Sequence, residues 1–95
     1  MPWTLEIRDE EELLEKHVLA DGVFSVGREA CDINIQDVKA SKQHCNFYVQ
    51  GEEISVIDSN STNGTFVNGI RIEKRDLRHN DVVIVGTTRI RVLKC

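Results

Sequence analysis

Short runs of alternating apolar and polar residues, each cut off by glycine, asparagine or aspartate, fill this chain. Trp3, Leu5 and Ile7 alternate with Thr4, Glu6 and Arg8. Cys45, Phe47 and Val49 alternate with Asn46, Tyr48 and Gln50, and Thr88, Ile90 and Val92 with Arg89, Arg91 and Leu93. A period of two puts every second side chain on one face, the signature of a half-buried strand. Nowhere is a helical period sustained, and Val and Ile are frequent while Ala is scarce, which favours strands again. Shorter β-prone runs lie at Lys16–Leu19, Val23–Val26, Asp32–Ile35, Ile54–Asp58, Thr65–Val67, Ile70–Ile72 and Val82–Val85. About ten short strands at close spacing predict a single all-β domain over residues 1–95, a sandwich or barrel.

The connections carry their own signals. Asp21-Gly22 predicts a hairpin between Lys16–Leu19 and Val23–Val26, and Asn68-Gly69 predicts another between Thr65–Val67 and Ile70–Ile72. Asp9 to Glu15 reads as loop running into strand, because Leu13-Leu14 gives no helical face. Lys74 to Asp81 reads as a polar connection with Leu77 as its one core anchor.

Composition removes several function classes. Net charge is −4, with acid gathered at Asp9, Glu10, Glu11, Glu12 and Glu15, and no basic tract is present to neutralise a duplex backbone. No apolar run has the length of a membrane span, and no charged-then-apolar leader opens the chain, so a soluble, unprocessed protein is expected. Cys31, Cys45 and Cys95 are odd in number and far apart, which suits reduced thiols in a cytosolic setting. No CxxC or HxxxH spacing supports a metal site. If residues 44 to 49 form a strand, His44 and Cys45 face opposite ways and cannot converge.

Against this background one stretch is unusual: Asp58 to Gly69, Asp-Ser-Asn-Ser-Thr-Asn-Gly-Thr-Phe-Val-Asn-Gly. Small polar residues there offer hydroxyls and amides, either to an oxygen-rich ligand or to their own backbone. Two further loops accompany it. Gly27-Arg28 ends a strand with a residue that permits close backbone approach and another that carries a planar fork of donors. Ser41-Lys42-Gln43-His44 closes a polar connection that also carries Lys39. Each has a plain reading: a surface arginine beside a turn, a turn serine with a solvated lysine, a structural imidazole at a strand mouth.

The order and spacing of the three loops resemble the forkhead-associated (FHA) domain, a phosphothreonine-binding β-sandwich. Val23-Phe24-Ser25-Val26-Gly27-Arg28 resembles that family's strand leading into Gly-Arg, and Asp58 opens its Asp-x-x-Ser-Thr-Asn-Gly-Thr pattern. Asn80-Asp81 through Gly86 resembles its closing motif, with Asn80 where glycine is usual, and Lys42 stands where arginine is common. The resemblance implies two packed antiparallel sheets of about eleven strands, with the binding loops at one end. It implies that Arg28 and Ser41 bind phosphate, that Thr62 adds a hydroxyl or backbone contact, and that Asn63 fixes the peptide main chain. Lys42 would supply charge or a backbone contact, while Gly27, His44 and Gly64 shape the loops. The partner would be a phosphothreonine-containing protein, met through one module of a longer polypeptide in the cytoplasm or elsewhere inside the cell, the nucleus included. Neither cofactor, metal nor nucleophile is called for, and the domain would touch neither nucleic acid nor membrane. The alternative is an FHA-like scaffold bound through a sheet face without phosphate, for which four intact binding residues would be superfluous.

Overall fold

A computed structural model describes residues 3–9 and 12–94. Cys95, Glu10 and Glu11 lie outside the described residues, and with them the readings that rest on them. The alternating runs become eleven strands: β1 Trp3–Asp9, β2 Glu12–Leu19, β3 Gly22–Gly27, β4 Ile33–Asn34, β5 Cys45–Gln50, β6 Glu53–Asp58, β7 Thr65–Val67, β8 Ile70–Ile72, β9 Lys74–Asp76, β10 Val82–Val85 and β11 Thr88–Lys94. No helix occurs among the described residues. They pair into a six-stranded sheet, β2-β1-β11-β10-β7-β8, and a five-stranded sheet, β4-β3-β5-β6-β9. All pairings are antiparallel except β3 with β4, which is parallel, so the second sheet is mixed.

The two sheets face each other across the residues that alternation put on one side. Leu5, Ile7, Val67, Val83, Val85, Ile90 and Val92 come from the first sheet, and Val26, Phe47 and Val56 from the second; all are buried. Phe47 is fully enclosed, and Leu77 is buried as its isolated apolar position predicts. The Asn68-Gly69 hairpin forms with Val67 opposite Ile70, both turn residues taking positive φ (50° and 84°), as a type I′ turn requires. Asn80 also adopts positive φ, +74°, so asparagine serves where a glycine would.

Four readings of the sequence need correction. Asp21-Gly22 makes no hairpin: β2 pairs with β1 and β3 with β5, so this turn carries the chain from one sheet to the other. Glu12 to Glu15 belongs to β2, an exposed edge strand that keeps its extended form by pairing with β1. Lys74 to Asp76 is strand β9, held by main-chain pairing with β6 although all three side chains are exposed. Finally β1 is buried on both faces: Thr4 and Glu6, which alternate with the core residues, are buried too, and Arg8 and Lys16 cover Glu6 at 3.2 and 3.6 Å.

Candidate phosphate-binding loop cluster

Strand ends decide where the singled-out residues meet. β3 stops at Gly27, β5 starts at Cys45 and β6 stops at Asp58, and their register puts these three at one end of the sandwich, where Thr65 at the start of β7 in the other sheet joins them by donating to Asp58 at 2.7 Å. The loops that leave them, 28–32, 35–44 and 59–64, are stitched together by main-chain and side-chain bonds. Arg28 N–H donates to Ser41 O at 3.1 Å, and Glu29 N–H to Lys42 O at 3.3 Å. The approach is so close that a Cβ on Gly27 would fall 2.1 Å from Lys42 O, which only glycine avoids. Ala30 holds φ +57° in the same loop, a left-handed conformation that costs an alanine about 1–2 kcal/mol. Bonds of Cys31 N–H to Asn34 Oδ1 and of Asp32 with Ser25 keep the loop in that shape.

His44 is the clasp of the cluster. Its side chain is fully buried; Nδ1 accepts the Ser41 N–H at 3.0 Å and Nε2 lies 2.9 Å from Gly64 O. A backbone N–H can only donate and a carbonyl can only accept, so the ring is the neutral Nε2–H tautomer and joins the second loop to the third. Its own carbonyl accepts Ser59 N–H at 2.9 Å, and its N–H donates to Val26 O at 2.8 Å. His44 sits just before β5 and not within it, and both it and Cys45 are buried. Burial pushes the Cys45 thiol up to about 12, which keeps it protonated and inert.

The polar loop 58–64 splits its hydroxyls between two tasks. Ser61 and Thr65 turn inward, both donating to Asp58 Oδ1, and Ser61 N–H donates to Asp58 Oδ2 at 3.1 Å. Thr62 and Asn63 remain exposed at the tip. Thr62 N–H donates to Ser41 Oγ at 3.0 Å, leaving the serine its own hydrogen to donate elsewhere. Asn63 Nδ2 donates to Lys39 O at 2.7 Å, which leaves Oδ1 as the acceptor of that side chain, with no partner among the described residues. Thus Arg28, Ser41, Thr62 and Asn63 come together, with Gly27, His44 and Gly64 beneath them. Arg28 is exposed, and its guanidinium has no hydrogen bond or ion pair to other described residues. Lys42 is the exception to a clean convergence. Its Nζ lies 3.4 Å from Glu29 Oε1, both side chains well exposed, a rim pair worth about 0–1 kcal/mol.

Asp37, which the sequence presents only as part of a polar connection, anchors the second loop. Its Oδ2 accepts Thr87 N–H, Thr87 Oγ1 and Thr88 Oγ1 at 2.7, 3.0 and 2.8 Å, and Oδ1 accepts Lys39 N–H at 2.9 Å. Burial raises its carboxyl pKa, but these donors outweigh burial and hold it below the ordinary value; Asp58 is depressed in the same way by Ser61 and Thr65. A folded-state pKa below the unfolded one favours the charged, folded form. The stability it contributes is therefore complete above the unfolded value and fades as pH falls through the folded one. The melting temperature should accordingly drop as pH is lowered below about 4. Asp37→Asn should lose about 1–3 kcal/mol at neutral pH and show a flatter acid limb in thermal melts. An unchanged acid limb would contradict the anchor.

With this geometry in view, comparison with known proteins is direct. A family model described as FHA domain matches residues 24–86. The glycogen accumulation regulator GarA of Mycolicibacterium smegmatis is 37% identical over 76 residues, covering 79% of this chain and 48% of its own length. The chain thus spans about half the length of the curated relatives it matches. Among solved structures, one from work on phosphothreonine-dependent FHA domain interactions superposes with a TM-score of 0.91 at 27% identity, covering 100% of this chain and 98% of the other. The FhaA FHA domain complexed with the intracellular domain of Rv3910 superposes at 0.86 with 28% identity, covering 95% and 98%.

Proposed function

The chain belongs to the FHA domain family, and from that premise we propose that it is a phosphopeptide-binding module that recognises phosphothreonine in a partner protein. One observation carries the reading. Arg28 holds an uncommitted guanidinium at the loop end while its own N–H is fixed to Ser41, whose hydroxyl has a hydrogen to give. A phosphothreonine brings about −1.5 to −2 charges and three acceptor oxygens, which this pair complements without a deep pocket. Thr62 adds its exposed hydroxyl. Asn63 Oδ1 accepts a main-chain N–H of the peptide. Lys42 lends charge from the rim by exchanging Glu29 for the ligand. Gly27, His44 and Gly64 preorganise the loops, so little ordering entropy is lost on binding. Similar structures support the reading, one concerning phosphothreonine-dependent FHA interactions and one a complex with a partner's intracellular domain.

This is a binding module and not an enzyme in our reading, since both ring nitrogens of His44 are engaged and the Cys45 thiol stays protonated. No described helix is long and apolar enough to cross a membrane. We place the domain inside the cell, as one module of a longer protein.

Phosphothreonine should be preferred to phosphoserine in an otherwise identical peptide. Both present the same phosphate, so only the γ-methyl can separate them. Burying one methyl between the loops around Ser41 and Thr62–Asn63 contributes about 0.8 kcal/mol. β-branching also restricts the free peptide, and together these give roughly 1–2 kcal/mol, a factor of about 5 to 30. Calorimetric titration of phosphothreonine, phosphoserine and unphosphorylated peptides at one salt concentration tests this. Equal affinity of the first two would remove the threonine preference, and tight binding of the third would remove phosphate recognition.

A further inference from the structure

Gly64 and a residue seven positions later make a contact that the phosphate site does not use. In the β7–β8 hairpin Phe66 lies opposite Arg71, while Thr65 and Val67 point into the core. Arg71 therefore projects from the outer face of the six-stranded sheet. Its side chain runs back toward the loop tip and lies across Gly64. A Cβ built there would meet Nε at 2.7 Å, Cζ at 3.0 Å and Cδ at 3.2 Å. Gly64 also has φ +87°, so two demands coincide on this glycine: its backbone conformation and the shelf it leaves for a guanidinium. From below, Gly64 is fixed by the His44 bond to its carbonyl, so the shelf is rigid.

Arg71 itself is exposed, and its guanidinium has no ion pair or hydrogen bond to other described residues. It lies beyond Asn63 as seen from Ser41, because Thr62 N–H is the group that touches Ser41 Oγ. Gly64 follows Thr62 by two residues through a bend, so the guanidinium laid across it flanks the loop tip that meets Ser41 and is placed to meet a neighbouring side chain of the same peptide. The domain as a whole carries −4 and would repel a peptide that bears acid beside its phosphate. Near this flank the exposed charges are Lys39, Arg71, the paired Lys42 and Glu29, and Glu73, whose carbonyl accepts Asp58 N–H, while Asp37 and Asp58 are occupied by donors of their own.

We propose that Arg71 is a specificity-determining residue: its guanidinium, laid across Gly64, receives a carboxylate side chain that flanks the phosphothreonine. The inference rests on the phosphopeptide reading above. It makes the preferred partner a phosphothreonine in an acidic segment, and it gives Gly64 a purpose besides its turn.

The test is a peptide scan. One phosphothreonine peptide with neutral flanks is compared with a set carrying a single glutamate at successive positions on either side, by fluorescence anisotropy at low and high salt. At one position glutamate should improve affinity about two- to fivefold, and the gain should shrink as salt rises. Arg71→Gln should erase that gain and leave the neutral peptide unchanged. Arg71→Glu should reverse it, favouring lysine at the same position. Melting curves show whether each variant is folded, and Arg71→Lys, which keeps the charge, serves if glutamine proves destabilising. An equal loss for neutral and acidic peptides in Arg71→Gln would assign the guanidinium to the phosphate and overturn the proposal. A lowered melting temperature with the glutamate gain intact would make Arg71 only a cover for Gly64, and would overturn it too. No binding of the neutral phosphopeptide to the unaltered domain would instead refute the underlying function.

Discussion

Arg28→Ala is expected to abolish measurable phosphopeptide binding and to leave the sandwich folded. Only the side chain is lost: the Arg28 N–H that donates to Ser41 O belongs to the backbone and survives the substitution. The guanidinium is exposed and contributes nothing to the core, so thermal stability should change by less than about 0.5 kcal/mol. A charge-assisted, bidentate contact to phosphate is worth about 2–4 kcal/mol, which corresponds to a factor of roughly 30 to 1,000 in Kd. Calorimetry and circular dichroism on one sample separate the two effects. Binding retained within a factor of three would refute the role of Arg28. Loss of the β spectrum would show that its role is structural.

His44→Ala should do the reverse, with a large effect on stability and an indirect one on binding. The ring is fully buried, and its removal strands the half-buried Ser41 N–H and the buried Gly64 C=O. Each orphaned group costs about 1–3 kcal/mol, and the void adds to that, so a loss of roughly 3–5 kcal/mol is expected. For a domain this small the melting temperature should fall by more than about 10 °C. Hydrogen exchange at the Ser41 amide should rise sharply, since its acceptor is gone. Affinity should fall only as far as the loops lose order. An unchanged melting temperature with destroyed affinity would make His44 a contact residue.

The contrast between these two residues shows what kind of information a sequence carries. Alternation sufficed for β1, β5 and β11, and Asn68-Gly69 sufficed for its hairpin, because both signals are local. Asp21-Gly22 has the same local chemistry as a hairpin turn, yet β2 and β3 join different sheets. Turn propensity fixes the bend and says nothing of which strand lies beside which. β9 escaped because Lys74, Arg75 and Asp76 bury no side chain, and only the main chain of β6 makes them a strand. Motif order singled out Arg28, Ser41, Thr62 and Asn63, which the loop contacts bring together, but bond directions were out of reach. Nothing local reveals that Asn63 donates to Lys39 O, or that Lys42 pairs with Glu29. Asp37 is the plainest case, since its partners Thr87 and Thr88 lie 50 and 51 residues away. A pattern of Asp two residues before Lys39 offers an Asx turn, which hints at the Lys39 N–H bond and at nothing more.

The central claim is that phosphate, and not a sheet face, brings a partner to this domain. A two-dimensional amide NMR titration with a phosphothreonine peptide and its unphosphorylated twin tests it most directly. The account predicts saturable shifts confined to the loop end, largest at Arg28, Ser41, Thr62 and Asn63, and no saturable shift with the unphosphorylated peptide. Equal binding of both peptides, or shifts centred on the outer face of β3, β5 and β6 with the loops silent, would contradict it.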